Sequence, residues 1–114
     1  MNVINEIVKN KQNTLKIKKE KESVDKIQKK AEDFISTKTK KFRFQEKLKD
    51  KTKTKLIAEY KPASPSQGDI SLLTPEDVIP IYEKYPVDMI SILTEELYFK
   101  SNMANFIKAN EMTI

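Results

Sequence analysis

The sequence predicts a parallel α/β protein led by a lysine-rich helical segment, and three observations carry that prediction. From Leu56 onward the pattern runs strand, helix, strand, helix, which is how parallel sheets are built, because a crossover must bring each strand back beside the last. The charge divides at the same point. Residues 1 to 55 hold 18 Lys and Arg against 8 Asp and Glu, a balance of +10, and residues 56 to 114 hold 4 against 9, a balance of −5. Finally, LIAEYKPASPSQG (56 to 68) places Glu59 and Lys61 two positions apart at the end of an otherwise apolar strand.

The elements follow in order. Val3, Ile4, Ile7, Val8 and Leu15 form one stripe across residues 2 to 22, the spacing of an amphipathic surface helix. Ser23 stands where an N-cap belongs, and Val24, Ile27, Ala31, Phe34 and Ile35 recur at three- and four-residue steps behind it. STKTKKF (36 to 42) has no apolar period and reads as a linker, after which Phe44 and Leu48 fit one turn of helix. The strand over residues 56 to 61 closes in a serine-proline turn that contains Gly68, the chain's single glycine. In TPED (74 to 77), Thr74 is the expected N-cap and Pro75 the first helical residue, with Glu76 and Asp77 complementing the positive helix end. Val78, Ile81, Tyr82 and Tyr85 are its expected buried stripe, and Pro86 stops it. VDMISIL (87 to 93) is apolar and β-branched enough for a strand buried on both faces. TEELYFKSN (94 to 102) reads as a polar loop, Met103, Phe106 and Ile107 mark another helix, and MTI (112 to 114) is expected to open a further strand.

Composition bounds the chemistry. The 114 residues contain neither Cys nor His, so a disulfide framework, a thiolate nucleophile, the usual zinc ligand and the usual neutral-pH acid-base group are all excluded. Reaction chemistry would have to run on carboxylates, lysines and hydroxyls. No signal-peptide pattern and no run of about 18 apolar residues occurs, so a cytoplasmic protein without membrane association is expected. The basic half could be read as a nucleic-acid footprint through counterion release. Arg43 is its only arginine, however, and Phe34, Phe42 and Phe44 suggest no stacking platform. A solvated lysine-rich helical surface is therefore the reading preferred here, with a nucleic-acid-binding arm as an alternative.

Alternation along a strand puts Ile57, Glu59 and Lys61 on one face and Leu56, Ala58 and Tyr60 on the other. Both charges fall at the C-terminal end, where parallel α/β proteins place their ligand sites. A satisfied ion pair at a strand end is the plainer explanation. Charge on a strand expected to be buried on both faces is costly unless it is paired or used, which favours function.

LIAEYKPASPSQG resembles the first barrel strand and following loop of the indole-3-glycerol-phosphate synthase family, and ISILTEELYF (90 to 99) resembles its second strand and loop. FQEKL (44 to 48) and the basic amphipathic helix before it also match. The resemblance implies a (β/α)8 TIM barrel with an extra N-terminal helical segment, in which residues 1 to 50 are the extension and 51 to 114 the first two βα units. It implies a carbon-carbon lyase of tryptophan biosynthesis. The phosphorylated small-molecule substrate, 1-(2-carboxyphenylamino)-1-deoxyribulose 5-phosphate, closes to indole-3-glycerol phosphate with loss of carbon dioxide and water, without metal or organic cofactor.

Carried onto this sequence, the resemblance gives Glu59 a supporting role in the catalytic hydrogen-bond network. It gives Lys61 the substrate carboxylate and a part in organising the general acid, and places Ser64 near the same carboxylate. Leu93 and Phe99 would pack on the anthranilate ring, a role compatible with plain core packing. The sequence also departs from the family. YFKSN stands where a glycine-rich YFGG-like loop end is expected, and Ile114 falls where the third strand should begin. The family's general-acid lysine lies on that strand, and its general-base glutamate and most of its phosphate site lie on later ones. No turnover by this chain alone is therefore expected, together with marginal stability or association through open strand edges. A non-catalytic fragment that assembles with a complementary barrel piece is the second alternative.

Overall fold

The computed structural model describes residues 2 to 39 and 42 to 113, and the chain divides into two units, Met1–Arg43 and Phe44–Ile114. The first unit contains α1 (Val3–Lys21) and α2 (Val24–Thr37). The Asn2 side chain accepts the Ile4 N–H at 2.8 Å and Ser23 accepts the Lys26 N–H at 3.3 Å, so each helix begins at a polar residue that takes up an otherwise orphaned donor. Lys30 pairs with Glu22 across the corner between them, and the Lys38 ammonium lies 4.5 Å from the centre of the Phe34 ring. Neither helix buries a residue. The expected apolar stripe of α2 is present and uncovered, with Val24, Ile27, Phe34 and Ile35 all exposed. Lys40 and Lys41, within the expected linker, lie outside the described residues.

The expected turn around Phe44 and Leu48 is α3 (Arg43–Lys49). There follow β1 (Ile57–Tyr60), β2 (Ala63–Ser64), β3 (Gly68–Asp69), α4 (Pro75–Lys84), β4 (Met89–Ile92) and α5 (Met103–Met112). β1 and β4 pair in parallel, with Ile57 opposite Met89, Ala58 opposite Ile90, Glu59 opposite Ser91 and Tyr60 opposite Ile92. A β1–α4–β4 crossover is therefore the organising unit. β2 and β3 form a small antiparallel hairpin within the expected turn, where Gly68 takes φ +63°. Arms of two residues are too short to show an alternating pattern.

Thr74 starts α4 as expected. Its N–H and hydroxyl both donate to Asp77 Oδ2, at 2.8 and 2.9 Å, which holds the Asp77 carboxyl below its usual range. The packed face differs from expectation. Pro75 and Ile79 are buried and Tyr82 half-buried, whereas Ile81 and Tyr85 are exposed. Val78, Ile79, Ile81 and Tyr82 fill two overlapping apolar rows, so periodicity alone cannot choose between them. The sheet selects the Pro75–Ile79–Tyr82 row, and the Tyr82 hydroxyl secures it by donating to the Glu59 carbonyl at 2.8 Å.

Tyr60, Ala63, Ile79, Met89 and Ala109 form the core of this unit. The Tyr60 hydroxyl donates to the Leu73 carbonyl at 3.0 Å, and Lys108 of α5 pairs with Glu76 of α4 at 3.2 Å. β4 is less enclosed than expected: Met89 is buried, but Ile90, Ser91 and Ile92 are half-buried. The expected strand at MTI is corrected at its start. Met112 completes α5 and the Thr113 N–H donates to the Ala109 carbonyl at 3.1 Å, while Ile114 lies outside the described residues. No described helix is long and apolar enough to cross a membrane.

Candidate functional site

Because β1 and β4 run parallel, their C-terminal ends and the loops that follow them lie side by side. Glu59 occupies the third position of β1, opposite Ser91 of β4. Its Oε1 lies 2.9 Å from Lys61 Nζ, and each side chain keeps 39% of its surface exposed. The Ser91 hydroxyl donates to Glu59 Oε2 at 3.4 Å. The Glu59 main chain is fixed from the other side by Tyr82, whose hydroxyl ionises above its ordinary value because of burial and the Glu59 charge. Backbone and carboxylate of Glu59 are thus both held, and the ammonium it orients has three N–H donors, of which this pair engages one. Such a pair offers an anionic ligand a cation already in place.

A cleft of about 440 Å³ opens beside the pair, lined among others by Glu59, Tyr60, Lys61, Leu73 and Tyr82. The other three sequence-predicted residues stand outside its lining. Ser64 lies in the hairpin, where its hydroxyl accepts the Gln67 N–H at 3.2 Å and sits 3.4 Å from Ser66 Oγ. Leu93 directly follows β4, half-buried, with its N–H 3.4 Å from the Tyr60 carbonyl. Phe99 is half-buried in the loop between β4 and α5, with its N–H donating to Glu95 Oε2 at 3.0 Å. The structure joins Glu59 and Lys61 directly and carries Ser64, Leu93 and Phe99 on the segments that follow the same strand ends.

Sequence reasoning missed three contributors. Ser91 is a lone hydroxyl in an apolar run and Tyr82 was assigned only to packing; both act on Glu59 across 32 and 23 residues of chain. Lys100 adopts φ +51° and pairs with Asp69, tying the β4–α5 loop to the hairpin. The signal for Lys100 was available, because this is where a glycine-rich loop end was expected. Among the described residues no three acidic side chains gather into a metal-binding group.

A parallel crossover unit with an ion pair at the carboxyl end of its first strand defines an α/β protein, a class whose ligand sites are placed at the strand-end loops. The family model for indole-3-glycerol phosphate synthase matches residues 4–113, and the chain belongs to that family. It is similar to the indole-3-glycerol phosphate synthase of Methanocaldococcus jannaschii, 33% identical over 100% of this chain and 46% of that protein. The Aquifex aeolicus protein of the same name is 45% identical over 51% of this chain and 23% of the relative. That of Petrotoga mobilis is 40% identical over 72% of this chain and 32% of the relative. The chain therefore spans less than half the length of these curated relatives.

Proposed function

We propose that this chain supplies the first two βα units of an indole-3-glycerol-phosphate synthase barrel, residues 51 to 114, with residues 1 to 50 as its N-terminal helical extension. The whole barrel acts as a cytoplasmic carbon-carbon lyase of tryptophan biosynthesis. It closes 1-(2-carboxyphenylamino)-1-deoxyribulose 5-phosphate to indole-3-glycerol phosphate with loss of carbon dioxide and water. The observation that carries this reading is the Glu59–Lys61 pair, 2.9 Å apart at the C-terminal end of β1, within a chain of that family.

In this reading Lys61 receives the substrate carboxylate, because an ammonium already oriented by Glu59 needs little reorganisation when the anion arrives. Glu59 keeps Lys61 aimed along the strand end, assisted by Ser91. Ser64 adds a hydroxyl donor toward the same carboxylate, and Leu93 and Phe99 form an apolar wall for the anthranilate ring. A general acid and a general base each contribute on the order of 10² to 10⁴ in rate. Here they come from later barrel strands, so turnover requires those strands as well.

The test is fluorescence detection of indole-3-glycerol phosphate formation by this chain alone and by the chain mixed with a segment that supplies strands three to eight. Activity in the mixture only, lowered at least a hundredfold by Lys61→Ala, is the expected result. A folded mixture without activity, or one indifferent to Lys61→Ala, would refute the assignment.

A further inference from the structure

The loop between β4 and α5 is organised around one side chain that the catalytic reading leaves without a role. Glu95 Oε1 accepts the Leu97 N–H at 2.9 Å, while its Oε2 accepts those of Tyr98 at 2.8 Å and Phe99 at 3.0 Å. The Glu95 carbonyl accepts the Ser101 N–H at 3.1 Å. Four backbone donors within one short loop thus converge on a single residue. Backbone N–H groups need partners, and an ionised carboxylate, with two oxygens and about four lone-pair positions, is the one side chain able to take three consecutive donors at once.

The exit of the loop is anchored separately. Ser101 is fully buried, its hydroxyl accepts from Asn105 Nδ2 at 3.1 Å, and Asn102 caps α5 by accepting the Asn105 N–H at 2.9 Å. Between these fixed ends Lys100 takes its positive φ, which returns the Ser101 N–H toward Glu95. Phe99 is the last residue whose N–H the carboxylate holds, so the direction in which its ring leaves the main chain follows from the Glu95 contacts.

We propose that Glu95 is a positioning residue: its carboxylate sets the conformation of the loop that carries Phe99, and thereby places the apolar wall against which the aromatic ring of the substrate packs. The proposal rests on the synthase reading for its catalytic consequence, though not for the loop geometry.

Two measurements test it, each with Glu95→Gln and Glu95→Asp. The first is amide hydrogen exchange across the full 114-residue chain in the presence of the complementary barrel segment. Glu95→Gln has one acceptor oxygen, and exchange at Leu97, Tyr98 and Phe99 is expected to rise about tenfold with residues 57 to 60 unchanged. Glu95→Asp keeps both oxygens and is expected to retain slow exchange at Leu97 and Tyr98. Unchanged exchange at 97 to 99 in Glu95→Gln, or an equal rise across residues 57 to 60, would overturn the proposal.

The second measurement is steady-state kinetics of the same mixtures. Glu95→Gln is expected to raise KM about tenfold with kcat within twofold. Phe99→Ala should do likewise, and the double variant should be no worse than either. A loss confined to kcat, or full additivity, would overturn the link to Phe99. If the parent mixture makes no indole product, the synthase reading fails, while the exchange pattern still decides whether Glu95 sets the loop.

Discussion

Lys100 shows how a single residue records a trade between backbone and side chain. A non-glycine residue in the left-handed region costs about 1 kcal/mol or more, because its Cβ crowds the carbonyl oxygen, and Lys100 sits there at φ +51°. Its ammonium recovers little, since the pair with Asp69 is well exposed at both ends. Lys100→Gly is therefore expected to stabilise the chain by about 0.5–1 kcal/mol despite the lost pair, and Lys100→Ala, which loses the pair and keeps the strain, to be neutral or slightly destabilising. Urea denaturation midpoints check both, and a Gly variant less stable than the Ala variant would reverse the argument. The site itself was legible only in part for a related reason. Glu59 and Lys61 stood out because charge interrupts an apolar strand, a local signal. Ser91, Tyr82 and Glu95 became meaningful only once folding set their partners, since nothing in TEEL says that one carboxylate will gather three N–H groups.

Among the elements, the opposite end of the sheet explains why β1 and β4 keep their register. Asp88, just before β4, has a side chain only 4% exposed. Its Oδ2 accepts the Leu56 N–H at 3.0 Å, its own N–H donates to the Leu56 carbonyl at 2.9 Å, and Lys53 lies 3.2 Å from Oδ1. The Leu56 amide first, then Lys53, hold the Asp88 carboxyl below its usual range. A carboxyl depressed in the folded state stabilises above its unfolded value, near pH 4, and that contribution is lost as pH falls through the folded value. Asp88→Asn is accordingly expected to be less stable than the parent at pH 7 and to close the gap as pH falls toward 2, read from denaturant midpoints across pH 2 to 7. A constant difference between the two proteins would show that the ionised form contributes nothing. The element order was readable from sequence because caps and breakers are local: Thr74, Pro75, Asp77 and Pro86 mark their helix by short-range chemistry. The face of α4, the β2–β3 hairpin and the helical end at Met112 were not, since the sheet chooses between two apolar rows and short runs fit helix or strand alike.

For the whole molecule, the deciding quantity is how much of the sheet is covered. Among the described residues β1 pairs with β4 alone. Ile57, on the face away from the Ala58 and Tyr60 side chains, is 49% exposed, and Met103, Phe106 and Ile107 of α5 are about half exposed. Parallel strands occur almost only where both faces are covered, and two strands alone are marginal in water. These two βα units are therefore expected to be only marginally stable by themselves. In a dilute monomeric sample, the amides of residues 57 to 60 are expected to exchange within about a hundredfold of unstructured rates, the mark of frequent local opening. If the proposed barrel assignment holds, adding a segment that supplies strands three to eight should slow them by a further hundredfold or more, as the outer edges of β1 and β4 gain hydrogen-bonded neighbours. If strong protection is already present in the dilute monomer, the β1–α4–β4–α5 unit is stable without further strands. Lys61 and Glu59 would then sit on a self-supporting platform, and in the proposed synthase the later strands would be needed for chemistry alone.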